Sequence, residues 1–193
     1  MADIVCSTEC AGGVTMNSFP SVCSHTDFGF PKLVILASTS FSAPWTGSPT
    51  VAELQAVIAT GGSDVIVINN IANGQKLAGE QQVISDTDTP DNLPEVISER
   101  EGISGNIKWF NGTVLADLEV LNCHKRLRMW YVTSNGYLFG GEDGYLCSNY
   151  FGDWVHDGFG NKAMIPFEFR WMREAITSDP TLDTDYLDLT NAS

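Results

Sequence analysis

The chain has 193 residues, of which 43% are hydrophobic and 10% aromatic, so it can bury a core and is not a disordered tail. This length favours one domain over residues 1–193 rather than two. Twenty-four acidic against ten basic residues give a formal net charge of -14. That charge argues against a wrapped nucleic-acid complex held by phosphate neutralisation. It fits either a solvated surface or a functional acidic face.

The first residues, Met1 to Ile4, lack the basic flank and apolar run of a secretory signal. No stretch reaches the roughly 20 apolar residues that a membrane span needs. We therefore expect no membrane partner, and a protein that works in the cytoplasm or in an assembly built there. The odd number of cysteines, five, fits reduced thiols better than a disulfide framework, although it is compatible with one or two bridges.

The chain begins with an irregular, cysteine-bearing arm over residues 1–31, predicted from its lack of a sustained apolar period. A core is predicted over 32–173, beginning with a buried strand in the apolar run Lys32 to Thr39. Thr50 and Glu53 have the spacing of a capping box and predict a short helix that ends at Gly61-Gly62. The β-branched run from Asp64 to Asn69 predicts a second strand.

Residues 72–101 turn polar and predict a long loop, of the kind that is functional or ordered by a neighbour. Alternation over 103–109 predicts a half-exposed strand. Residues 113–123 fit both a strand and a helix, and the leucine spacing favours the helix.

The apolar runs on either side of Asn135-Gly136 predict a hairpin with a two-residue turn. Alternation over 163–171 predicts a last strand with Ile165, Phe167, Phe169 and Trp171 on one side. The segment 174–193 has five acids and no base, and predicts an exposed C-terminal arm. Strands outnumber helices, so the predicted class is α+β, mainly β.

A tetrahedral zinc site is the sharpest candidate for chemistry, because three cysteines and a histidine lie within twenty residues of the N-terminal arm. The candidate ligands are Cys6, Cys10, Cys23 and His25. The single residue between Cys23 and His25 strains joint ligation, so small buried side chains in an irregular arm are favoured over metal. We expect no bound cofactor.

Other motifs predict structure rather than catalysis. Cys123 and His124 are adjacent, and neighbours along a helix or strand point in different directions, so they do not predict a nucleophile and base. Lys125, Arg126 and Arg128 form a basic cluster, predicted to meet an acidic neighbour. Acids near Pro90, at positions 86, 88 and 91, lack the glycine and distal glutamate of a calcium loop and predict a solvated turn.

The stretch Gly140 to Gly144 lacks the lysine of a phosphate-binding loop and predicts a turn. Aromatic residues crowd the middle of the chain and suit either a core or a packed interface. These residues are Trp130, Tyr131, Tyr137, Tyr145, Tyr150, Phe151 and Trp154. No catalytic pattern stands out, so the chain is predicted not to be an enzyme.

Two blocks of the sequence resemble the ring-forming, tail-tube-like virion proteins of tailed phages of Bacteroidetes, the crAss-like group among them. The blocks are Ile4-Val-Cys6 with Cys10-Ala-Gly-Gly13 and Cys23, and Leu118-Glu-Val-Leu-Asn122 through Arg128-Met-Trp-Tyr-Val132 to Asn135-Gly-Tyr-Leu-Phe-Gly140. The cysteine arm and the acidic C-terminal arm depart from the family.

The resemblance implies an antiparallel β-sandwich or barrel-like core with one or two short helices and long arms. It also implies a structural subunit that forms a homo-oligomeric ring in the tail or portal-proximal connector, with neighbouring virion proteins as partners. Double-stranded DNA would pass the ring without specific binding, and the protein would be part of a virion assembled in the host cytoplasm. The alternatives are a small zinc-binding interaction module and a capsid-surface or fibre protein of the same virus class.

Overall fold

The computed structural model describes residues 9–10, 14–15, 29–59, 65–84, 95–108, 110, 112–124, 126–155, 163–172 and 180–189. Its strands are β1 (Glu9–Cys10), β2 (Val14–Thr15), β3 (Pro31–Ala37), β4 (Val65–Ile68), β5 (Ile71–Ile84), β6 (Glu95–Lys108), β7 (Leu127–Thr133), β8 (Tyr137–Phe139), β9 (Tyr145–Phe151), β10 (Met164–Met172) and β11 (Thr181–Leu182). Its helices are α1 (Val51–Ala59), α2 (Gly112–Cys123) and a 3₁₀ helix (Thr184–Asp188). None of these helices is long and apolar enough to cross a membrane.

The main sheet is open and antiparallel throughout. From one edge to the other its order is β4, β3, β7, β9, β10, β6 and β5. β8 pairs with the same edge of β7 as β9 does, one after the other along that strand. β11 pairs with β8, and β1 pairs separately with β2. This arrangement, with two α-helices, confirms the α+β, mainly β class and the helix predicted over 113–123.

Apolar side chains fill both faces of the central strands. On β3, Leu33 and Ile35 face a cluster covered by α1 and the C-terminal residues, while Val34 and Leu36 face a second cluster shared with β6, β10 and α2. A strand that is buried on both faces needs no polar alternation, which explains the unbroken apolar run of β3. The prediction for β10 is also confirmed, because Ile165, Phe167, Phe169 and Trp171 are buried.

The capping box at the start of α1 is confirmed. The Thr50 N–H donates to Glu53 Oε2 at 2.8 Å, and the Glu53 N–H donates to Thr50 Oγ1 at 3.3 Å. These bonds satisfy amides that the first turn leaves without partners. The predicted stop at 61–62 lies outside the described residues.

The same box predicts a pH dependence of stability. Hydrogen bonds from the Thr50 backbone and side chain lower the pKa of Glu53 below 4.5. Folding therefore favours the carboxylate, and this contribution is present above pH 4.5 and lost as the pH falls through the lower folded-state pKa. We expect Glu53→Gln to lower the melting temperature at pH 7, and the difference from wild type to shrink toward pH 3. Glu119→Gln, exposed on α2, is the control, and a pH-independent deficit in Glu53→Gln would contradict the assignment.

The hairpin at Asn135-Gly136 is confirmed, but its loop is longer than predicted. Val132 pairs with Leu138, which leaves three residues, 134–136, beyond the last strand positions. The Gly136 N–H donates to the Thr133 carbonyl at 2.9 Å, and Gly136 has a φ of 80°. Asn135 is not among the positive-φ residues, so the loop is a turn closed by a left-handed glycine rather than a two-residue type I′ turn.

The prediction of a polar loop over 72–101 is wrong. Most of that interval belongs to β5 and β6, which pair with each other along their length. Three irregularities, between Ala72 and Gln75, Leu77 and Glu80, and Gln82 and Val83, shift the register. Each shift interrupts the period-two pattern, so the sequence gives no strand signal.

The prediction of an exposed arm over 174–193 is wrong for residues 180–189. Thr181 and Leu182 pair with β8, and the 3₁₀ helix buries Tyr186 and Leu189 against α1 and β3. The Tyr186 hydroxyl donates to the Pro49 carbonyl at 2.6 Å. The elements are too short for a periodic signal, and acids at 183, 185 and 188 dominate the composition.

Candidate assembly surface

The predicted zinc ligands are not tested by the structure. Cys6, Cys23 and His25 lie outside the described residues, and Cys10 pairs with Val14 in the small β1–β2 ladder. Within the described residues no group of three or more potential ligands comes together. The predicted turn at positions 86, 88 and 91 also lies outside them.

The two described cysteines occupy different environments. Cys123 is exposed at the end of α2, and its thiol contacts the Glu119 carbonyl at 3.7 Å. The backbone of His124 closes the same helix end, donating to the Leu121 carbonyl at 3.0 Å. Burial raises the pKa of the Cys147 thiol to about 12, so this side chain packs as a small apolar group.

The most distinctive feature is the far end of the β5–β6 hairpin, residues 81–84 with 95–99, which we term the distal ribbon. β6 pairs with β10 only over Arg100 to Lys108, so in the described part of the chain the distal ribbon has no third strand. Its paired residues include Gln81 with Glu99 and Val83 with Val96. A two-stranded ribbon is marginally stable alone in water.

Two ion pairs lie at the root of this hairpin, one between its own strands and one from β5 to β10. Lys76 Nζ lies 3.2 Å from Glu101 Oε2, and Arg170 Nη1 lies 2.8 Å from Glu80 Oε1. Arg170 also pairs with Glu168 on its own strand. These pairs are partly exposed and each contributes little to stability, so they orient the hairpin more than they stabilise it.

One face of the sheet is covered on only part of its area. The layer of α1, Trp45 and the 3₁₀ helix covers β3, β7 and β8, but the same face continues over β9, β10 and β6. Here three large apolar side chains are exposed: Leu146 (50%), Tyr150 (62%) and Met172 (48%). The crowded aromatic segment thus divides, with Trp130, Tyr131 and Phe151 in the core and Tyr150 and Trp154 exposed.

A groove of about 390 Å³ crosses this uncovered area. It is lined by Arg100, Arg126 and Arg170 together with Leu146 and Met172. We call these five residues the arginine face. Sequence reasoning found only Arg126, because the other two arginines reach the groove through strand pairing rather than through proximity in sequence.

The predicted basic cluster is therefore divided by the fold. Arg128 donates to the Asp143 carbonyl at 2.7 Å and pairs with its carboxylate at 3.1 Å, while Arg126 lies exposed in the groove. Lys125 is outside the described residues. The stretch Gly140 to Gly144, which carries Asp143, forms the predicted turn.

Acidic side chains gather at the opposite end of the molecule. Glu53 on α1 and Asp183, Asp185 and Asp188 around the 3₁₀ helix form what we call the acidic corner. Burial, followed by the charges of Asp183 and Glu53, raises the pKa of Tyr186, which lies beneath these carboxylates. The Asp183 N–H donates to the Gly136 carbonyl at 3.0 Å and ties this corner to the β7–β8 turn.

Comparisons with known proteins give little further information. No protein-family model matches the sequence, and no curated protein matches it. Among solved structures, a chain from the virion of a native gene transfer agent particle is 8% identical, with a TM-score of 0.37, over 79% of this chain and 95% of that one. A chain from the tail of an empty gene transfer agent particle, refined with C6 symmetry, is 10% identical, with a TM-score of 0.35, over 64% and 90%. Similarity at this level does not establish a shared function.

Proposed function

We propose that this protein is a structural subunit of a tailed-phage virion, forming an oligomeric ring in the tail or in the portal-proximal connector around the DNA channel. The observation that carries the proposal is the distal ribbon. It extends past the end of the β6–β10 pairing, so within the described residues it has no third strand. The sequence resemblance to ring-forming virion proteins motivates the virion context. The protein has no catalytic role in this proposal.

The distal ribbon supports assembly because it lacks the packing that makes a hairpin stable by itself. A sheet needs three or more strands, or packing against another element, to be stable by itself. The outer edge of β5 presents backbone donors and acceptors to a neighbour, as in strand addition. A neighbouring subunit in a ring would supply the missing partner.

The bulges and charges of β5 suit a selective contact. Lys76 and Glu80 lie on this edge, and the register shifts interrupt it. Such features block indiscriminate pairing of exposed edges, so only a partner with matching shape and charge would pair there. Self-association into a closed ring is therefore favoured over open aggregation.

The net charge of -14 suits a protein that lines a channel for DNA without holding it. Phosphates are repelled by an acidic wall, so the duplex would pass without specific binding. Neighbouring virion proteins are the other proposed partners, with assembly in the host cytoplasm. Residues 180–189 pack onto the core, which favours the ring proposal over the fibre alternative, since the latter calls for an exposed acidic arm.

Shortening the hairpin tests the proposal. Replacing residues 82–98 by Asn-Gly joins the paired residues Gln81 and Glu99 through a two-residue turn and removes most of the distal ribbon. We expect wild type to form rings, measured by size-exclusion chromatography with light scattering and negative-stain imaging. We expect the shortened chain to remain folded by circular dichroism but to stay monomeric.

The control is a chain with the hairpin intact and an exposed substitution away from it, Glu119→Gln on α2, which should assemble normally. Wild-type protein that stays strictly monomeric at high concentration, without rings or a virion partner, would overturn the proposed function. Rings formed equally well by the shortened chain would show that the distal ribbon is not the contact.

A further inference from the structure

We propose that the arginine face of one subunit binds the acidic corner of a second copy of this chain. The inference rests on the proposed function, in that it identifies a contact through which copies associate. It names a surface on the sheet that adjoins the base of the distal ribbon, where Arg100 follows Glu99. Its partner is defined by charge, as a cluster of carboxylates.

Strand pairing brings the arginines together. Arg100 on β6 is the partner of Met172 on β10, and Arg170 is the partner of Ser148 on β9. Leu127 on β7 pairs with Cys147, which brings the preceding residue, Arg126, to the same end of the sheet. Three strands distant in sequence thus contribute cations to one groove, in a chain with only ten basic residues.

Two of these arginines form no ion pair within the described part of the chain, and Glu80, which lies opposite Arg100 in the β5–β6 register, is paired with Arg170 instead. Arg170 is paired with Glu168 and Glu80, whereas the structure shows no ion pair for Arg100 or Arg126 among the described residues. Both are exposed. In a protein of charge -14, two such cations lining one groove give it a local positive field that would attract carboxylates.

The apolar residues of the arginine face make it a contact surface rather than a site for small ions. Leu146 and Met172 are half exposed and flank the arginines. Arginine and methionine are enriched in protein interfaces, where apolar contact supplies affinity and charge supplies orientation. The groove is therefore suited to a folded acidic surface.

The acidic corner has the complementary charge but lies too far from the arginine face to reach it within one subunit. β7 runs from Leu127, beside the arginine face, to Thr133, beside the turn to which Asp183 is bonded. At roughly 3.3 Å per residue, this strand separates the two surfaces by about 20 Å. One subunit therefore cannot join its own two surfaces, and the contact runs head to tail, as ring closure requires.

Charge reversal tests the contact. We expect Arg100→Glu with Arg126→Glu to raise the protein concentration needed for assembly at least about tenfold. Two charges facing the acidic corner change sign, which is a net change of four units. Lys32→Glu on β3 with Lys108→Glu at the opposite end of β6 from Arg100 changes the net charge equally away from the groove, and this chain should assemble as wild type does. Light scattering over a concentration series is the measurement, and added salt should weaken wild-type assembly.

The reciprocal substitution provides the stronger test. Asp185→Arg with Asp188→Arg should also weaken assembly, and a chain that carries all four substitutions should recover it. All four positions are exposed, so circular dichroism should show unchanged folds. Recovery in the fourfold variant would be unexpected if each pair had merely damaged the structure.

The outcomes separate this contact from the proposed function. Monomeric wild-type protein would overturn both, whereas wild-type rings that are indifferent to either charge reversal would overturn only this contact. Loss of duplex DNA binding in the arginine variant, measured by fluorescence anisotropy with ring formation intact, would also overturn it and assign the face to phosphates.

Discussion

Gly144→Ala is expected to lower the free energy of unfolding by about 2–5 kcal/mol, whereas Gly47→Ala should cost only about 1–2 kcal/mol. The two glycines have similar backbone angles, with φ of 71° and 82°. At Gly47 an added Cβ meets nothing within 4 Å, but at Gly144 it would lie 2.8 Å from Cε2 of Trp130. The difference between the variants therefore measures the packing against Trp130, with the backbone strain in common.

The Trp130 side chain is held in place and cannot move away from a Cβ added at Gly144. It is 1% exposed, its indole N–H donates to the Gly141 carbonyl at 2.9 Å, and its ring packs edge-on against Trp45 at 5.9 Å. Trp45 in turn donates to the Glu142 carbonyl at 2.8 Å. Two indoles thus hold the turn 140–144, and urea unfolding of the two alanine variants measures the cost. Equal costs at Gly47 and Gly144 would show that Trp130 moves aside.

Tyr186→Ala is expected to lower the free energy of unfolding by about 3–5 kcal/mol, the loss usual for a buried aromatic side chain. Tyr186 is 1% exposed and bonds to the Pro49 carbonyl just before α1. Leu182→Ala, at a position 57% exposed and two residues before the 3₁₀ helix, should change stability by no more than about 0.5 kcal/mol.

Chemical unfolding monitored by circular dichroism measures both variants. The comparison decides between a packed C-terminal segment and the exposed arm that its acidic composition predicts. A Tyr186→Ala chain as stable as Leu182→Ala would show that residues 180–189 do not pack on the core in solution. Tyr186→Phe isolates the hydroxyl and should cost about 1 kcal/mol.

Local sequence patterns were sufficient to predict elements whose structure depends on residues close together in sequence. Thr50 and Glu53 satisfy each other's amides within one turn, so the sequence predicts the start of α1 correctly. The alternation of Ile165, Phe167, Phe169 and Trp171 reflects one buried face and predicts β10. The long hairpin failed this test, because three register shifts interrupt the apolar alternation that marks a strand.

The sequence by itself determined the acidic charge, the mainly β class, α1, α2 and the central strands. These features depend on composition and on patterns that repeat over a few consecutive residues. Only the tertiary structure decided that Arg100, Arg126 and Arg170 line one groove, since strand pairing joins residues distant in sequence. It also decided that Tyr186 packs beside Pro49, 137 residues away. The candidate assembly surface belongs to this second kind, because its parts meet only when the sheet forms.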